Sequence, residues 1–209
     1  MGWHHLRPHR HTPRGLGAGR PHPLRPKTGR ARTRRRLRAY DGRVDSVHAD
    51  LREPLPISQP VDAIFSTATF HWITDHHRLF RNLASVTAPD GMFCAQWGGA
   101  GNIKRVTDVL DARGVEWHDD KYFATVDGTV AALTAAGWTV DDCWLEPAPT
   151  PFTDDAAPDQ WLRTVILGSL LNRCSPSEGD EIVRAVVRAI PDHVLDYVRI
   201  NALARRIST

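Results

Sequence analysis

The side chains able to do chemistry in this chain sit just beyond apolar runs. Asp50 follows residues 43–49, whose alternation reads as a short strand, and Ser66 ends Val61-Asp62-Ala63-Ile64-Phe65-Ser66, a buried-strand candidate. His71 and Trp72 come shortly after. Open α/β sheets bind ligands outside the carboxyl ends of their strands, so a carboxylate, a hydroxyl and an imidazole delivered there can hold a ligand or move a proton. An imidazole does either near neutral pH. Each residue also has a plainer reading: Asp50 as a loop or helix cap, Ser66 as turn chemistry, His71 as a histidine bonded to the backbone. Trp72, Trp97 and Trp161 can line an apolar pocket or fill a core. Cys94, Cys143 and Cys174 match neither a zinc nor a disulfide spacing, and His4, His5, His9 and His11 have no carboxylate or thiolate beside them, so no metal site is expected.

The elements that must position these residues alternate. Leu79, Phe80, Leu83 and Val86 lie at helical spacing, and Ala88-Pro89-Asp90-Gly91 is a turn that stops the helix before a strand over 92–97. Ile103, Val106, Val109 and Leu110 form one helical face, and Val130 and Leu133 form another, closed by Gly137 as a C-terminal cap. A strand is predicted over 138–145 and a helix over 159–171. Ser175-Pro176-Ser177-Glu178 is a capping box with proline in the first turn, opening a helix to about Ile190. Residues 194–207 read equally as helix or strand. Strand, helix and strand in alternation make an α/β fold with a parallel sheet.

Charge divides the 209 residues. Positions 1–40 hold 12 basic and no acidic residues, with no Ile, Val or Phe, while 41–209 hold 15 basic and 24 acidic, a net −9. A segment so poor in large apolar side chains cannot offset its ordering entropy, so residues 1–30 are expected to be a basic disordered segment rich in Arg, His, Pro and Gly. Residues 31–209 carry the domain, with 32–40 ending a helix and Asp41-Gly42 a turn. No apolar run reaches the roughly 18 to 20 residues that span a bilayer, and no apolar h-region follows the basic start. The expected compartment is a reducing cytoplasm, with no membrane association.

His48-Ala49-Asp50-Leu51, the Val61 strand with His71-Trp72 after it, Ala88-Pro89-Asp90-Gly91 and Ala135-Ala136-Gly137-Trp138 occur in the order found in a known family. In these features residues 31–207 resemble the class I S-adenosylmethionine-dependent methyltransferases, in particular the trans-aconitate methyltransferase-like group that methylates small-molecule carboxylates. The resemblance implies a Rossmann-like sheet of order 3-2-1-4-5-7-6 and makes 196–200 the antiparallel last strand. It further implies S-adenosylmethionine as cofactor, with Asp50 at the adenine amino group, Leu51 at the ring and Ser66 at the methionine moiety. His71 would orient or deprotonate the acceptor, and Trp72, Tyr197 and Arg199 would bind it. Arg199 has an equally good reading as a surface or ion-pair residue. Transfer to a carboxylate is an in-line displacement by an oxygen that is already anionic, so alignment matters more than a strong base.

The chain departs from that family at its start. Gly15-Leu16-Gly17-Ala18-Gly19 spells GxGxG, yet it follows His11-Thr12-Pro13-Arg14 rather than an apolar strand and precedes a proline-rich stretch that cannot form the anion-binding helix. No acid precedes Asp41, so the ribose hydroxyls have no partner at the end of a second strand. We expect a methyltransferase sheet lacking its first strands, residues 1–30 being a frame-shifted or mis-started replacement, with impaired cofactor binding. The Val61 strand would then be an exposed apolar edge. Two alternatives are an inactive homologue serving as a binding module, and nucleic-acid binding through the basic arm. The net −9 of the body and the arm's few aromatic residues count against the latter.

Overall fold

A computed structural model describes residues 44–117, 121–152 and 157–208. The expected basic segment 1–30, its GxGxG and the 32–42 helix end and turn lie outside the described residues. Contacts set Val47–Thr209 apart as one unit, with the boundary at Ser46. The unit is built on a four-stranded sheet in the order β1-β2-β6-β3. The strands are β1 (Val61–Thr67), β2 (Thr87–Gly98), β3 (Trp138–Pro147) and β6 (Val198–Arg206), and a two-stranded ladder pairs β4 (Thr150–Pro151) with β5 (Val194–Leu195). β1 and β2 are parallel; β6 runs antiparallel between β2 and β3. That is the expected order for the last four strands of a methyltransferase sheet.

The helices are α1 (His76–Ser85), α2 (Lys104–Ala112), α3 (Val126–Ala135), α4 (Ala157–Trp161), α5 (Gly168–Leu171) and α6 (Pro176–Ala189). Local signals set their ends. Asp75 and Thr125 accept the backbone N–H groups of Arg78 and Gly128, and the Ser175–Glu178 capping box closes in both directions. Gly137 stops α3 at φ +84°, a left-handed turn that a side chain would strain.

One sheet face carries the core. Phe93, Ala95 and Trp97 of β2, Ile200, Ala202 and Ala204 of β6 and Trp138 of β3 meet Leu79, Phe80 and Leu83 of α1 and Leu133 of α3. Trp138 is fully buried and donates Nε1–H to the Phe80 carbonyl at 3.2 Å, which satisfies its one polar atom. A second cluster joins Val106 and Leu110 of α2, Ile182, Val183 and Val186 of α6, and Leu162, Ile166 and Leu170. No helix among the described residues is long and apolar enough to cross a membrane.

Four expectations need correction. Residues 44–50 form no strand and are exposed, because alternation makes a strand only where a neighbour supplies the ladder, and no described strand pairs with them. The 88–91 turn lies within β2 rather than before it: Val61 pairs with Thr87 and Ala63 with Met92, so the extra residues loop out, with Asp90 at φ +61°. The 159–171 helix is broken by a π-helical turn, Leu162–Ile166, closed by Leu167 N–H on the Leu162 carbonyl at 2.7 Å. β1 is an edge strand among the described residues, the exposed apolar edge expected of a sheet without its first strands and not the buried strand that its composition suggests, and Phe65 is 79% exposed.

Phe65 shares the open sheet face with the exposed Met92 and Trp144. An apolar edge strand is a template for pairing with other chains. Phe65→Lys is therefore expected to lower self-association in sedimentation velocity without changing the melting temperature; unchanged association would contradict that reading of the edge.

Candidate functional site

The carboxyl ends of parallel β1 and β2 open onto a cavity of about 350 Å³. Its walls come from the loop after β1 (Ala68, His71, Trp72), the loop after β2 (Asn102, Ile103), Lys121 and Phe123, the π-helical region (Trp161, Val165, Ile166) and the start of β6 (Tyr197, Arg199). The structure thus brings His71, Trp72, Tyr197 and Arg199 together from positions more than 120 residues apart in sequence. Trp161 joins them, whereas Trp97 is fully buried in the core.

His71 is held from both sides. The preceding Phe70 is 2% exposed and packs on Phe80, Phe93 and Trp97, with ring centroids 6.2, 6.1 and 5.4 Å away. Aromatic contacts of this kind contribute about 0.5–1.5 kcal/mol each beyond area burial, enough to fix the turn Phe70–Trp72. The buried His76 donates Nε2–H to the Phe70 carbonyl at 3.1 Å, and Tyr122 N–H donates to the His71 carbonyl at 2.9 Å. The imidazole of His71 lies between the rings of Trp72 and Phe123, at 5.1 and 6.2 Å, and its Nδ1 accepts the Gly98 N–H at 3.3 Å. A side chain at Gly98 would meet Asn102 Nδ2 at 2.8 Å and the Phe123 ring at 3.0 Å, so the glycine lets both residues close over the end of β2. Burial, then the charges of Arg199 and Lys121 and the nearby His76, pushes the His71 imidazole down to about 4.

The other polar groups are also restrained. Trp161 Nε1–H donates to the Tyr197 hydroxyl at 2.8 Å; burial pushes the phenol up, with Trp161 and Arg199 opposing. Since tryptophan only donates, the Tyr197 O–H remains a donor. The Arg199 guanidinium stands 4.5 Å over the Tyr197 ring. Lys121 donates to the Ile166 carbonyl at 2.8 Å and lies 4.6 Å over the Trp72 ring. Asn102 Oδ1 accepts the Val198 N–H at 2.9 Å, tying the loop after β2 to the start of β6. Ala68 and Ile103, both lining the cavity, have φ of +55° and +49°. For a β-branched residue that conformation is strained, and such strain clusters at ligand sites. Lys121, Asn102 and the π-helical turn escaped sequence reasoning; the one local signal for Lys121 was its place beside Tyr122-Phe123.

The cofactor side is built differently. Asp50 is exposed and spends its carboxylate on Arg52, accepting the backbone N–H and Nε–H at 3.0 Å and an Nη2–H at 2.8 Å; these bonds hold it down at about 2. Leu51 packs half-buried on the sheet core, its carbonyl taking Asn82 Nδ2–H at 2.9 Å. Ser66 lines a separate hollow of about 210 Å³ with Phe65, Gln96, Trp144 and Asn201. None of the three borders the His71 cavity, and no glycine-rich strand–loop–helix occurs among the described residues. These residues do not form a cradle for S-adenosylmethionine, so no methyl-transfer step is drawn through it.

A family model described as a methyltransferase domain matches residues 26–95. Trans-aconitate 2-methyltransferase of Escherichia coli is 34% identical over 101 residues, covering 46% of this chain and 38% of that enzyme. The Klebsiella pneumoniae enzyme of the same name is 24% identical over 174 residues, covering 77% of this chain and 68% of its own. A solved structure of loganic acid methyltransferase with S-adenosylhomocysteine shares the fold at a TM-score of 0.54 and 9% identity, covering 77% of this chain and 66% of that one. The chain thus spans well under half the length of some curated relatives and about two thirds of others. Sequence match, strand order and shared fold agree: over residues 26–95 the chain is similar to the methyltransferase domain family, and its described residues share the methyltransferase fold.

Proposed function

We propose that this chain is a methyltransferase domain whose cavity holds a small anionic acceptor, a carboxylate, and whose cofactor half is impaired. One observation carries the acceptor reading: among the described residues the cavity lining combines His71, Lys121 and Arg199 with the Tyr197 hydroxyl and aromatic walls, and contains no Asp or Glu. A volume of about 350 Å³ is in the range that encloses a metabolite-sized molecule. The relatives named for trans-aconitate support an acceptor of that chemistry. Arg199 and Lys121 would neutralise the acceptor's charge, Tyr197 would donate to it, and Trp72 and Trp161 would exclude water. An anionic oxygen so aligned needs no general base.

The impaired cofactor half rests on Asp50 being committed to Arg52 and on a GxGxG at 15–19 with neither an apolar strand before it nor a helix-competent stretch after it. These same observations favour a second reading, an inactive homologue that retains its acceptor site as a binding module. Both readings share the cavity.

Calorimetric titration with trans-aconitate tests the acceptor site directly. Saturable binding is expected to weaken with added salt, to be absent for the uncharged trimethyl ester, and to fall about tenfold, or about 1.4 kcal/mol, in Arg199→Ala or Lys121→Ala. Equal binding of acid and ester, or variants without effect, would contradict an anion-binding cavity.

A further inference from the structure

Among the described residues His71 is the one imidazole lining the cavity, and its proton is assignable from its surroundings. The Gly98 amide at the end of β2 can only donate, and it points at Nδ1 from 3.3 Å. A neutral imidazole whose Nδ1 accepts a hydrogen bond carries its hydrogen on Nε2. The ring is walled by Trp72 and Phe123, and the charged groups facing it are Arg199 from β6 and Lys121 from the segment before α3, with the imidazole of His76 behind. Every one of these disfavours a second proton on the ring. The neighbouring His76 shows the same nitrogen in the same state: its Nε2–H donates to the Phe70 carbonyl.

We infer that His71 acts as a neutral Nε2–H donor that positions an acceptor carboxylate, and not as a base that deprotonates it. This rests on the acceptor-cavity reading. A donor that stays uncharged adds direction without adding charge, which Arg199 and Lys121 already provide. It also excludes acceptors that would need a proton removed before attack, such as an aliphatic hydroxyl, because a ring with Nδ1 engaged and Nε2 protonated has no lone pair to offer. The substrate class is thereby narrowed to groups that attack without first losing a proton, of which a carboxylate is the one that the Arg199 and Lys121 charges favour.

Nitrogen NMR of the ¹⁵N-histidine-labelled chain decides the tautomer with no ligand present. The expected result is an Nε2–H tautomer for His71 whose shifts stay constant from pH 8 to pH 5. An Nδ1–H tautomer, or a titration midpoint near the ordinary histidine value, would overturn the inference. A pair of variants supplies an independent readout. His71→Gln keeps an N–H donor near the Nε2 position without basicity and is expected to bind trans-aconitate within about threefold of the parent, while His71→Leu loses about tenfold. Equal losses in both would mean that the ring serves only to fill space, against the inference. If trans-aconitate fails to bind the parent while the tautomer is as expected, the acceptor reading fails and the proton assignment stands.

Discussion

The arrangement depends on Phe70. Its ring is inserted among Phe80, Phe93 and Trp97, so the sheet core and α1 grip the chain at the point where it leaves β1. The next two residues cannot follow it into the core and are turned to the other side, where they become the floor of the cavity. Aromatic packing is insensitive to salt and needs no partner outside this unit. The cavity therefore holds its geometry even though the first described residues, 44–50, join no strand among the described residues.

From that anchor the cavity is closed by segments far apart in the chain. The loop after β2 is bound to β6 through Asn102, and Lys121 joins the π-helical turn to the face of Trp72. The π turn matters because it interrupts one regular helix and lets Trp161, Val165 and Ile166 face the same space. Backbone strain is tolerated at Ile103, 3% exposed, by its packing, and at the exposed Ala68 by its N–H donating to the Gln96 carbonyl at 2.8 Å. The result, among the described residues, is a wall of donors without a carboxylate.

Sequence reading succeeded where the signal was local. The Ser175–Glu178 capping box, Gly137 and the 3.6-residue periodicity of α1 and α2 each predicted an element that the structure contains. The resemblance named His71, Trp72, Tyr197 and Arg199, which the fold brings to one cavity, because a family motif encodes tertiary proximity that periodicity cannot. Some misreadings came from dependence on a partner. Residues 44–49 alternate as a strand does but have no ladder among the described residues. Asp50, which the resemblance puts at the cofactor, is paired with Arg52 two residues on. Lys121 carried no motif, and only the folding of 121–124 against the end of β2 puts it in the cavity.

The proposed function joins an acceptor cavity to an impaired cofactor half. Isothermal titration with S-adenosylhomocysteine tests it most directly, on this chain and on a version whose residues 1–30 are replaced by an apolar strand, glycine-rich loop and helix of the family type. The account predicts no saturation of the chain at millimolar ligand and restored binding in the rebuilt version. Micromolar binding by the chain itself would contradict it.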